Sequence, residues 1–433
     1  MPIPFEPALI GTVPLHAAMV AVLLFVVTVP IALRLARHEG RPWLVPLLLG
    51  SLALHLAGAV LQIFVVRYAY ENIADFHLYD GQGARLAEAW RDGIGTIPGL
   101  DLPGNGAVSI AVGVVYSAVG IDQLGGFFVF SWFSFLGLLA FYRAFRIALP
   151  MAQSARYAVL IFLLPSLFYW PSAAGKEALM LLALGVLALG SARLLRGQWR
   201  GAVPMIAGAA LGAAVRPHEV ALVFGAFGVA LVIRRVTNRS LLTPVRRVAT
   251  ILSLVVVGGL LARFTAQFLG ISSFSAAAVV QAVNDANLAT QGEGSGFESS
   301  HDIWHGSPLY YPVDIYLVLF KPLPFEVATP TQAIAALENL TLIVLFAVCW
   351  RSLVRIPGQL KESPFVVLCL VYSLVFVYLF SALGNEGLLV RERTLLFPFL
   401  FVLFALPAPA PRRDLGGAPR VDARHGSSSS DLL

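Results

Sequence analysis

Four short stretches gather ionisable side chains in an otherwise apolar chain. The first reads Arg67-Tyr68-Ala69-Tyr70-Glu71-Asn72-Ile73-Ala74-Asp75-Phe76-His77-Leu78-Tyr79-Asp80-Gly81 and passes into the amphipathic pattern Ala84-Arg85-Leu86-Ala87-Glu88-Ala89-Trp90. Asp75 and Asp80 follow directly on an apolar run. Partial burial there raises a carboxyl's pKa toward the working pH and suits it to act as general base on a hydroxyl. His77, between them, is a candidate substrate contact. The same residues also read as a solvated loop in which Asp75 caps a helix and Asp80-Gly81 forms a turn.

The second stretch is Trp170-Pro171-Ser172-Ala173-Ala174-Gly175-Lys176-Glu177, a proline-marked turn entering an apolar run. An ammonium beside helix N-terminal amides suits a phosphate, which makes Lys176 a candidate binding residue. Its alternative is to snorkel or pair with Glu177 at the interface. Gly175-Lys176 is not a P-loop, because the preceding glycine spacing and the following Ser or Thr are missing. In the third stretch, Arg216-Pro217-His218-Glu219, Arg216 suits bidentate contact with a lipid-linked phosphate, and His218 suits a hydrogen bond to phosphate or sugar. Charges this close to hydrocarbon are costly and point to function, although an Arg216–Glu219 ion pair would also account for them. The fourth stretch, Gly384-Asn385-Glu386-Gly387-Leu388-Leu389-Val390-Arg391-Glu392-Arg393, brings Arg391 and Arg393 to the edge of a span. They suit a phosphate or pyrophosphate headgroup, or an internal pair with Glu392 or Glu386. Glu298-Ser299-Ser300-His301-Asp302-Ile303-Trp304-His305 spaces two histidines at i, i+4, but no third metal ligand is identifiable, so no cofactor is expected and a divalent metal is left open. Tyr310, Tyr311 and Trp304 suit sugar stacking or an interfacial aromatic belt.

The elements that must position these residues are transmembrane helices. The 433 residues are 58% hydrophobic and 12% charged, with a mean hydropathy of +0.80; soluble domains carry roughly 25% charged residues. The expected fold is all-α, a polytopic transmembrane bundle of about 11 spans with external re-entrant or amphipathic helices. Spans are predicted at 13–35, 43–66, 126–147, 157–172, 176–193, 201–215, 219–233, 248–268, 331–350, 364–383 and 392–408. The first run is followed by Arg34, Arg37 and Arg41 rather than a cleavage site, which marks a retained span. Cys349 and Cys369 have neither metal nor disulfide spacing. The net charge of +6 sits in short loops, which argues against nucleic acid as a partner and for a membrane surface.

With the N-terminus outside, 21 of the 30 Lys and Arg residues fall in one set of loops, which the positive-inside rule makes cytoplasmic. Counting 107–120 as a further span would reverse every later loop, so it is expected to be interfacial or re-entrant. Residues 1–408 form one membrane domain with external segments 67–125 and 269–330, and 409–433 form a disordered cytoplasmic tail. No internal repeat of the transporter type stands out.

The acidic first external segment, the re-entrant helix after it, the basic external turns and the long late external segment together resemble membrane glycosyltransferases of the GT-C type. That resemblance implies a polyprenyl-phosphate-linked sugar as donor and a glycan or lipid acceptor. It also implies Asp75 or Asp80 as base, and Lys176, Arg216, Arg391 and Arg393 as holders of the lipid phosphate. The chain departs from the family in placing the acid after the second apparent span, where the family usually places it after the first. The same features are similar to polysaccharide polymerases of the Wzy and EpsG type, whose external arginines handle undecaprenyl-pyrophosphate-linked chains. Both resemblances imply transfer on the outer face of a bacterial inner membrane in cell-envelope glycan synthesis. A lipid-linked glycan transporter or flippase is the alternative of another class, and it predicts charges near the bilayer midplane and symmetric halves.

Overall fold

In hydrocarbon a backbone must satisfy its own hydrogen bonds, and runs rich in Leu, Val and Ala do so as helices. The computed structural model describes residues 13–69, 74–100, 102–234, 308–327, 330–381, 383 and 385–406, with Gly259, Arg263 and Gln281 as isolated positions. Apart from those three positions, the expected span at 248–268, the segment 269–307 with His301, Trp304 and His305, and the tail 409–433 lie outside the described residues. What is described is all-helical. In chain order the helices are α1 (Val13–Glu39), α2 (Leu44–Ala69), α3 (Phe76–Arg91), α4 (Asn105–Val119), α5 (Gln123–Ala148), α6 (Ser154–Leu163), α7 (Pro165–Tyr169), α8 (Lys176–Leu195), α9 (Ala202–Val215), α10 (Pro217–Ile233), α11 (Tyr311–Leu319), α12 (Pro330–Leu353), α13 (Ile356–Leu360), α14 (Pro364–Phe380) and α15 (Glu386–Phe404). Five of them, α1, α2, α5, α8 and α12, contain stretches long and apolar enough to cross a membrane, while α4, α6, α9, α10 and α14 are shorter apolar helices.

Side-chain contacts fix the directions. His16 meets Asp122 at 3.1 Å, Trp132 donates to Thr28 at 3.0 Å and Arg146 reaches Glu39 at 2.7 Å, so α1 and α5 run parallel. Ser131 donates to the Ser172 carbonyl at 2.9 Å, and the backbones of Gly137 and Gly185 touch, which makes α8 parallel to α5 as well. A Cβ at Gly185 would strike the Gly137 backbone; small residues permit such close helix approach where lipid offers no hydrophobic drive to association. On its other face α8 packs antiparallel against α9. The starts of α1, α5 and α8 therefore share one end of the bundle with the end of α9.

Residues 74–100 and 102–122 lie at that same end, since α2 runs back along α1. Within it, α3 and α4 form a hairpin tied by Tyr79 to Asn105 at 3.2 Å and Ser109 to Gln82 at 2.6 Å. The Gly104 amide just before α4 bonds the Ala214 carbonyl at the end of α9 at 2.9 Å. The other end of α4 leads into Asp122 beside His16. Helix α4 thus runs from the end of α9 to the starts of α1 and α5, all at one end of the bundle.

Two expectations change. The span at 157–172 is not one helix. Leu164 is extended (φ −67°, ψ 127°), Pro165 restarts the chain as the short α7, and a 3-10 turn, Trp170–Ser172, follows. Proline has no N–H to give, and it drives the residue before it out of the helical region. The last span begins not at 392 but at Glu386, where the Asn385 side chain accepts from the Leu388 amide at 3.0 Å. Arg391 and Arg393 therefore sit inside a helix instead of at its edge.

Candidate functional site

The three turns that carried ionisable groups in sequence meet at the end of the bundle covered by α3 and α4. Lys176 and Glu177 open α8, with Gly175 at the cap position. Arg216 is at once the last cap of α9 and the first of α10. Arg391 and Glu392 come from the second turn of α15, and Asp75 stands at the start of α3.

These side chains form one chain of ion pairs. Arg391 donates to Asp75 at 3.2 Å and to Glu177 at 3.0 Å. Arg216 donates to the same Glu177 oxygen at 3.1 Å, and its other nitrogen bonds Glu392. Glu177 is only 2% exposed and Arg216 and Glu392 are buried as well, whereas the Asp75 carboxyl is 64% exposed. Breaking a buried pair leaves an uncompensated charge at a cost of several kcal/mol, whereas a solvated pair is worth under about 1 kcal/mol. Arg216 is paired with Glu177 and Glu392, not with its sequence neighbour Glu219. That glutamate is fully buried and instead accepts from Tyr372 on α14 at 2.9 Å.

Lys176 lies among these groups, within electrostatic range of Arg216, Glu177, Glu392 and Asp75, yet it makes no hydrogen bond or ion pair among the described residues. His218, in the first turn of α10, faces Arg216 and Lys176. Tyr79 of α3 looks into the cluster; burial first, then Asp75 and Glu177, push its phenol well above the ordinary range.

The structure separates the two candidate bases. Asp80 lies on the side of α3 that faces α4 and α5, where it accepts from the Tyr116 hydroxyl and from Gln123 at 3.4 Å. Burial pushes its carboxyl above the usual range, against the pull of Tyr116, His77 and Gln123. Asp75 occupies the cap position without making a side-chain capping bond, and Asp80-Gly81 is helical, not a turn. His77 packs on Phe76 with ring centres 4.4 Å apart and belongs to the Asp80 side.

Arg393 does not join the cluster. It is fully buried on another side of α15, 3.7 Å from Glu338 of α12, with its guanidinium over the Phe397 ring at 5.7 Å. Glu338 also accepts the Ser166 amide at 2.8 Å and the Ser166 hydroxyl at 2.5 Å. It thereby caps the N-terminus that the Leu164–Pro165 break exposes inside the bundle. Glu338, Ser166, Tyr116 and Tyr372 were not singled out from sequence. The available signal was Glu338 itself, a carboxylate alone in an apolar run, which requires a buried partner. No group of three His, Cys, Asp or Glu side chains among the described residues is placed to hold a metal ion.

Fold and site together define the class, an all-helical, multi-pass membrane protein with an ionised network at one end. Compared with family models, curated proteins and solved structures, the chain matches none.

Proposed function

We propose that the network is the active site of a membrane glycosyltransferase that uses a polyprenyl-phosphate-linked sugar. In this reading the chain crosses the bacterial inner membrane eleven times, with the N-terminus outside, the C-terminus in the cytoplasm and α3–α4 on the outer face. The observation that carries the reading is the position of Lys176, an ammonium with no ion-pair partner among the described residues, near the Arg216 guanidinium and the exposed Asp75 carboxylate. The cations are placed to receive the donor's phosphate where charge grows as the bond to the sugar breaks. Asp75, at the solvent side of Arg391, takes the proton of the acceptor hydroxyl as its oxygen bonds the anomeric carbon. The phosphate leaves with the electron pair of the broken C–O bond. Asp80, held by Tyr116 and Gln123, serves this reaction as the joint between α3 and α4. The acceptor is a glycan or lipid, and the pathway is cell-envelope glycan assembly.

The test is to measure envelope glycan and its lipid-linked precursor in cells carrying Asp75→Asn, Lys176→Gln or Arg391→Gln, with protein levels matched. Loss of glycan with accumulated precursor is expected in all three. The chain length of that precursor distinguishes addition of single sugars from joining of repeat blocks. Normal glycan and precursor in every variant would sink the catalytic reading.

A further inference from the structure

Glu219, in the first turn of α10, is fully buried. One of its oxygens accepts from the Tyr372 hydroxyl of α14 at 2.9 Å, and the other, Oε1, is buried with no hydrogen-bond partner. Arg216, at the head of the same helix, spends its nitrogens on Glu177 of α8 and Glu392 of α15 instead. The charged and titratable groups that act on Glu219 are Glu392, Tyr372 and Arg216. A carboxylate beside another carboxylate, with no cation of its own, would be an uncompensated buried charge. Glu219 is therefore held as the neutral acid, and the hydroxyl on Oε1 is a donor without an acceptor. A buried donor left unmade costs free energy and calls for a reason.

We infer that Glu219 is a positioning residue of the phosphate site, the acid that receives Glu392 when a phosphodiester takes Arg216. The inference rests on the reading of the Lys176 network as a phosphate site. To engage Arg216, an anionic guest must draw Glu392 off the guanidinium, and a freed carboxylate left unpaired in the interior is costly. The Glu219 hydroxyl offers Glu392 a charge-assisted hydrogen bond in place of the one it gives up. Glu392 already stands close enough to act on Glu219 electrostatically. No proton enters or leaves in this exchange, and the network gains only the single negative charge of the guest. An ionised Glu219 would repel Glu392 and keep it on Arg216, so the exchange works only while Glu219 holds its proton.

The experiment measures binding of methyl farnesyl phosphate, a phosphodiester with no proton to exchange near neutral pH, to the full-length protein in neutral detergent. Calorimetric titrations run from mildly acid to alkaline pH on the parent and on Glu219→Gln. Glutamine keeps the acceptor for Tyr372 and puts a non-titrating amide N–H where the hydroxyl was. The two proteins should bind alike at mildly acid pH. As pH rises, the parent should weaken by up to about tenfold per pH unit relative to Glu219→Gln, the limit for loss of one proton. Weakening from titration of Lys176 would be common to both and cancels in that ratio. A second measurement needs only the parent: infrared difference spectra should show a buried carboxylic-acid C=O stretch moving to lower frequency on binding, as the hydroxyl gains an acceptor. Parallel pH profiles for the two proteins, or a carbonyl band unmoved by the probe, would overturn the inference and leave the phosphate site standing. No binding by the parent at any pH would overturn the site reading and the inference with it.

Discussion

Arg391 reaches Asp75 across 316 positions of sequence, at 3.2 Å, and so ties the α3–α4 hairpin to α15. Its second nitrogen holds Glu177, which makes one side chain the junction between a solvated pair and a buried one.

That asymmetry predicts unequal stability effects. Glu177→Ala leaves the buried Arg216 and the part-exposed Arg391 each short of a counter-charge and should destabilise by about 3–5 kcal/mol. Asp75→Asn removes only the exposed pair and should cost under about 1 kcal/mol. Thermal unfolding of the two purified variants checks this. Equal losses would mean that the hairpin is held by Asp75 more than its exposure allows.

The buried carboxyl of Asp80 gives a pH signature. A folded-state pKa above the unfolded value means that the folded chain holds the proton more tightly, so this group's stabilisation is complete below the unfolded pKa. It is lost as pH rises through the folded one. Asp80→Asn abolishes that component. The variant should be at least as stable as the parent near neutral pH, and its advantage should shrink as the pH falls below the raised Asp80 value. Chemical denaturation at a series of pH values reads this out, and a parallel pair of curves would remove Asp80 from the account.

Close approach of α5 and α8 predicts a sharp positional effect. Gly185→Val drives a side chain into the Gly137 backbone and should destabilise by about 1–3 kcal/mol or prevent assembly. Gly225→Val on α10, where nothing lies within 4 Å of an added Cβ, serves as the control and should leave the melting temperature unchanged.

Glu338 supports the helix break. Glu338→Ala would orphan the Ser166 amide and leave Arg393 buried beside no carboxylate, at a cost of about 3–5 kcal/mol. Ser166→Ala removes one hydroxyl donor and should cost about 1 kcal/mol. A similar loss from both variants would mean that Arg393 does not depend on Glu338.

Much of the scaffold was legible in sequence because apolar length alone dictates it. The runs that became α1, α2, α5 and α8 carry few charges. The pattern around Ala84–Trp90 foretold α3. The site was legible only as a set of residue types. Lys176, Arg216 and Arg391 stood out because charges beside hydrocarbon are costly, but sequence spacing does not reveal partners. Glu177 meets Arg216 over 39 positions and Arg391 over 214, and only tertiary packing selects them over Glu219 or Glu386. The break before α7 was written in Pro165 yet masked by the hydrophobicity on both sides of it.

Three cations, Lys176, Arg216 and Arg391, stand among three carboxylates, Asp75, Glu177 and Glu392, so the charges of the network balance within it. An anionic guest meets Lys176 without displacing anything, but to engage Arg216 or Arg391 as well it must draw a carboxylate off a guanidinium. Occupancy then rests on competition between the guest and the protein's own side chains, and long-range attraction adds little. In the structure Glu177 and Glu392 keep both arginines paired, so the strength of those pairs sets how readily either guanidinium can turn to another anion.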